Sequence, residues 1–153
     1  MPKLDLSKIP VRRGSGYPSP FDQVAAGRTR QALGDAGGLT QFGVNRLELA
    51  PGTWSSQRHW HSAEDEFLYV IAGEVVLGTD QGEQLLRSGD CAAFPAGAPN
   101  GHHLINKGSA VAIVLEVGGR VATDRVTYPD IDLFYDGASD AYTQRDGTPY
   151  PVK

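Results

Sequence analysis

Residues 59–77 read HWHSAEDEFLYVIAGEVVL, and the fold turns on how this stretch is read. From Glu66 onward the side chains alternate. Glu66, Leu68 and Val70 share one face of an extended segment, and Phe67, Tyr69 and Ile71 share the other. Both faces are largely apolar, so a strand over Glu66–Ala72 covered on both sides is expected. Gly73 interrupts it before Glu74–Leu77 resumes the pattern. Just upstream, His59 and His61 stand two positions apart, which puts both imidazoles on one face of a strand with Trp60 opposed.

Working outward, Asp80-Gln81-Gly82 separates Glu74–Leu77 from Glu83–Leu86 and signals a hairpin. Ser88-Gly89-Asp90 turns the chain into Cys91–Phe94, which Pro95-Ala96-Gly97 ends. Leu104-Ile105 and Ala110–Val117 follow, before Gly118-Gly119. On the N-terminal side, Leu39–Leu49 alternates well enough for a strand and stops at Ala50-Pro51-Gly52. Short strands with turn signals every eight to twelve residues or so indicate an all-β sandwich or barrel. No long helix and no internal repeat is expected.

The chain has 153 residues, enough for one domain with a sizeable core. Fourteen basic against 18 acidic residues leave a net charge of −4. That balance argues against nucleic acid or an anionic membrane as the partner, and the basic pair Arg12-Arg13 is too small to reverse it. A single cysteine, Cys91, excludes an internal disulfide framework, and its neighbours Ala92, Ala93 and Phe94 mark it as a small core residue. The opening MPKLDLSKIPVRR lacks an apolar signal region, and no apolar run approaches the roughly 20 residues of a membrane helix. A soluble, cytoplasmic protein is expected.

All four histidines fall in two short segments, His59 with His61 and His102 with His103. Two imidazoles on one face, followed by Glu66, make a chelating set. Neutral imidazoles with one carboxylate suit Zn, Fe, Ni, Cu or Mn. The second segment supplies a third imidazole, and only one of two adjacent strand residues can face the same interior. The other is left for a supporting or substrate role. Glu64 and Asp65 read as solvated turn residues, and Asn106 as a residue that caps a turn. Trp54, Trp60 and Tyr69 read as packing residues or as the mouth of a pocket.

These positions resemble the cupin family. Gly52, His59-Trp60-His61, Glu66 and Gly73 look like its first motif. Gly89, Pro95-Ala96-Gly97, His102 and Asn106 look like its second, the resemblance running over about Leu39–Val117. It implies a double-stranded β-helix, or jelly-roll barrel, holding one divalent metal (Zn, Fe, Mn or Ni) on His59, His61, Glu66 and His102. Four residues separate Gly97 from His102 where the family usually has two, so His103 stands as the alternative third imidazole. With His102 as ligand, His103 is the spare imidazole available for proton transfer.

The expected organisation is an extended N-terminal arm over 1–38 with one helical turn around Gln23–Leu33, a barrel over 39–119, and a loop-like tail over 120–153. The tail's tyrosines are expected to pack on the barrel or on a second subunit, and a homodimer with two-fold symmetry is the expected assembly. The resemblance implies a metal-dependent enzyme acting on a small organic molecule, by dioxygenation, decarboxylation or sugar isomerisation. The alternative is a non-catalytic module binding a metal or a small metabolite.

Overall fold

The computed structural model describes residues 3–151. A six-stranded antiparallel sheet is laid down in the order β1 (Arg12–Arg13), β2 (Arg28–Ala32), β3 (Phe42–Leu49), β10 (Ala112–Gly119), β5 (Glu66–Ala72) and β8 (Cys91–Phe94). A three-stranded sheet runs β7 (Gly82–Arg87), β6 (Glu74–Thr79) and β9 (His103–Ile105). A four-stranded sheet runs β13 (Ala141–Thr143), β12 (Leu133–Asp136), β11 (Arg125–Tyr128) and β4 (Trp60–His61). Hairpin neighbours such as β6 and β7 alternate with pairings of strands distant in the chain, β3 with β10, β6 with β9 and β11 with β4, and the result is a double-stranded β-helix.

The core lies between the first two sheets. Leu49, Leu68, Val70, Ala112 and Val114 meet Val75, Leu77 and Leu104. Each large aliphatic side chain buried this way contributes about 2 kcal/mol of hydrophobic stabilisation. Alternation puts these residues inside: along β5, Leu68 and Val70 are buried, while Phe67, Tyr69 and Ile71 remain 40–44% exposed. The expected cover on both faces of β5 is therefore absent among the described residues, whose other layers leave the outer face open. Cys91 pairs with Tyr69 on that face and is exposed, so its expected place in the core is corrected.

Two turns hold the frame. Thr79 pairs with Gly82 across Asp80-Gln81, which makes the anticipated hairpin a two-residue loop. Gly73 joins β5 to β6 at φ 75°, where an added Cβ would stand 2.9 Å from the Val111 carbonyl oxygen. A side chain is excluded there by both torsion and space.

The two ends of the chain differ most from expectation. Within the anticipated helical turn, Gln23–Ala25 is helical and Arg28–Ala32 is β2, and α1 (Leu33–Ala36) starts only at its last residue. The tail is not loop-like, since it supplies β11, β12 and β13. Its Tyr128 and Leu133 form a second core with Tyr17, flanked by Phe21, Tyr135, Tyr142 and Tyr150. Arm and tail thus bury each other's aromatics within one chain. Among the described residues, no helix is long and apolar enough to cross a membrane.

Candidate metal centre

Three elements bring the site together. His59 and His102 face each other through paired main-chain hydrogen bonds, His59 N–H to the His102 carbonyl at 3.1 Å and the reverse at 2.9 Å. This bridge sets His102 beside His59 despite the longer loop before it. That loop is pinned elsewhere: the Asn100 side chain accepts the Asp80 N–H at 2.9 Å. Arg58 ties Gly101 to Asp130 and Asp80. Glu66 opens β5, opposite Phe94 on β8, and points inward with Leu68 and Val70.

The imidazoles converge on one carboxylate oxygen. Glu66 Oε2 lies 2.7 Å from His102 Nε2 and 3.4 Å from the Nε2 atoms of both His59 and His61. Yet this oxygen is buried with no hydrogen-bond partner. A buried, unsatisfied carboxylate oxygen ringed by three imidazole nitrogens fits a divalent cation.

The other ring nitrogens assign the tautomers. His59 Nδ1 donates to the Gln57 carbonyl at 2.8 Å, and His61 Nδ1 to Asp124 Oδ2 at 2.6 Å. In the neutral rings both Nε2 atoms are thereby left with free lone pairs, as ligands require. The His102 ring stacks on Phe94 with centroids 3.6 Å apart and planes 4° from parallel.

Electrostatics favour a cation. Burial alone would raise the Glu66 pKa, but the three imidazoles outweigh it and hold the carboxyl well below its ordinary range. Burial would lower that of His61, but Glu66 and Asp124 push it up to about 9. Burial lowers the His102 pKa, with Glu66 opposing.

The cluster opens on a cavity of about 600 Å³, lined by His59, His61 and Glu66 and by Arg30, Asn45 and Glu116. His102 and His103 are not among its lining residues. His103 follows the alternation of β9 to the side opposite His102. It packs edge-on against Trp54, 4.6 Å between centroids, and covers Gly78. Burial pulls its pKa down to about 4.

Three residues went unrecognised as parts of the site. Asp124 lies in the tail, where no motif marked it. Glu64 is no solvated turn residue: its carboxylate accepts the Val121 N–H at 2.7 Å, stands 3.7 Å from His61 Nδ1, and burial raises its pKa. Glu116 did carry a signal, as the single charge in the run AVAIVLEV. Asn106 behaves as expected. Fully buried, it donates to the Leu49 and Ala110 carbonyls and accepts the Gly108 N–H.

A cupin-domain family model matches residues 45–118. The chain is also similar over nearly its whole length to the structure of a sugar phosphate isomerase of the cupin superfamily from Silicibacter pomeroyi. The two share 50% identity over 98% of this chain and 97% of that one, with a TM-score of 0.92. This chain belongs to the cupin superfamily.

A candidate sugar phosphate isomerase from Acidithiobacillus ferrooxidans shares 27% identity with this cupin over 82% of it and 81% of the other chain, at a TM-score of 0.72. A polyketide cyclase from Streptomyces resistomycificus, at 21% identity, 78% and 79% coverage and a TM-score of 0.60, shares the fold alone with this cupin. No curated protein matches it.

Proposed function

We propose that this cupin holds one divalent metal on His59, His61, Glu66 and His102 and isomerises a small sugar phosphate. The observation that carries the metal reading is the unsatisfied Glu66 Oε2 at the meeting point of three imidazoles. The substrate class is drawn from the Silicibacter pomeroyi isomerase at 50% identity. When bound, the ion would supply Lewis-acid polarisation to a sugar oxygen.

The chain's own residues would do the rest. Asp124 fixes the His61 ring, and Gln57 fixes that of His59. Aldose–ketose isomerisation moves a proton between adjacent carbons, so a group must take it up and return it. His103, the spare imidazole of the sequence reading, is turned toward Trp54, outside the cavity. We assign the proton to Glu116. Its carboxyl lines the cavity, burial raises its pKa, and it has no hydrogen bond or ion pair among the described residues.

The test is elemental analysis joined to proton NMR of aldose phosphates in D₂O with metal-loaded protein. One ion per chain, with ketose accumulating that carries deuterium at C1 and with deuterium appearing at C2 of the remaining aldose, is the expected result. One ion per chain without exchange on any aldose phosphate would leave the non-catalytic binding module as the reading. Protein without metal that still exchanges C2 deuterium would overturn the metal assignment.

A further inference from the structure

Strand register gathers arginines at one edge of the six-stranded sheet. Arg12 on β1 lies directly opposite Arg30 on β2, and Arg30 lies opposite Leu47 on β3. Arg28 lies opposite Leu49 in the same way. Leu47 and Leu49 are fully buried, so Arg12, Arg28 and Arg30 stand on the same face of the sheet as the core, at its edge, where Arg12 and Arg30 remain exposed. Arg13, one position on from Arg12, projects outward.

These arginines are not equivalent. The Arg28 guanidinium is used by the chain itself, donating to the carbonyls of Gly14 and Ser55. Arg120, also on the cavity wall, pairs with Asp35 and donates to the Leu39 carbonyl. The guanidinium groups of Arg12 and Arg30 have no hydrogen bond or ion pair among the described residues. Directly opposed residues of an antiparallel pair have Cβ atoms about 5 Å apart, and like charges there repel. Nearby, Asp35 is committed to Arg120, and Glu116 forms no ion pair with Arg30. Two guanidinium groups with no hydrogen bond or ion pair, on directly opposed residues and one of them lining the cavity that holds the imidazole cluster, suit a doubly charged tetrahedral oxyanion.

We propose that Arg30, with Arg12 across the strand pair, is the subsite for the phosphoryl group of the substrate. The inference rests on the sugar phosphate reading for what carries that group. The sugar's reacting carbons would then lie toward His59, His61 and Glu116, and its anionic end toward the β1–β2 edge.

The test is calorimetric titration of metal-loaded protein at low ionic strength with glucose 6-phosphate, glucose and inorganic phosphate. Wild type should bind glucose 6-phosphate and phosphate, and glucose at least about tenfold more weakly. Arg30→Gln and Arg12→Gln should each weaken phosphate binding about tenfold, and the double variant should abolish it. Arg13→Gln, with the same change in net charge on the outward face, should leave it unchanged. Without phosphate, the two inward variants should melt no lower than wild type, since each relieves a repulsion. Arg30→Lys, which keeps the charge, should restore part of the binding.

Wild type that binds no phosphate, a double variant that binds it normally, or equal loss in Arg13→Gln would each overturn the subsite. Phosphate binding that depends on Arg30, in a protein that converts no sugar phosphate, would uphold the subsite and remove the isomerase reading. Turnover with an unaltered KM in the double variant would do the reverse.

Discussion

His61 Nδ1 and Asp124 Oδ2 lie 2.6 Å apart, joining a histidine of the first motif to a tail residue 63 positions later. Asp124 is only 3% exposed and also accepts the Ala63 N–H at 2.8 Å and the Ser62 hydroxyl at 3.3 Å. A carboxylate so placed fixes both the tautomer and the plane of the imidazole. The tail therefore supplies the carboxylate that stands behind His61.

Asp124→Asn should lower metal affinity by about 10- to 100-fold, the usual consequence of removing a ligand's orienting partner. Competition against a chromophoric chelator measures it, with circular dichroism to check the fold. Wild-type affinity in a folded variant would show that Asp124 does not orient His61.

Chelation should lower the melting temperature, because binding to the folded state alone stabilises by about 4 kcal/mol at a thousandfold excess over Kd. His61→Ala and Glu66→Gln should each lose that dependence along with most of the metal. If either retained one ion per chain by elemental analysis, the proposed ligand set would be wrong.

Glu116 gives a pH prediction for the chelated protein. Its folded pKa is raised above 4.5 by burial, so the folded state holds the proton more tightly than the unfolded one. Its contribution to stability is fully present below about pH 4.5 and is lost as pH rises through the folded pKa. Glu116→Gln cannot lose that proton, so its stability relative to wild type should increase with pH above 4.5. Parallel denaturation profiles from pH 4 to 8 would contradict a buried, proton-holding carboxyl.

Asn106→Ala should cost about 3 kcal/mol, since it strips hydrogen bonds from the Leu49 and Ala110 carbonyls and the Gly108 N–H. Urea denaturation measures it. Metal stoichiometry in the surviving folded fraction should stay at the wild-type value, because Asn106 holds a turn and touches no ligand.

The strands legible in the sequence were those with their own period and punctuation. Glu66–Ala72 and Cys91–Phe94 appear with the bounds read from alternation and flanking turns. β2, β11, β12 and β13 were not legible. Each is short, and their side chains find their burial only against partners far along the chain, as Tyr17 does against Tyr128. The exposure of Cys91 shows the same limit, since an apolar neighbourhood in sequence does not say which face of a sheet is covered.

The sequence by itself determined the barrel, because alternation and turn residues act over a few residues, and the spacing of His59, His61 and Glu66 marked them as a cluster. Which second-segment histidine meets Glu66 was decided by the His59–His102 bridge, a pairing across 43 positions. Tertiary structure alone also placed Asp124 behind His61, Glu116 in the cavity wall and Arg12 opposite Arg30. Register between strands is a cooperative property of the whole packed sheet, and no local pattern encodes it.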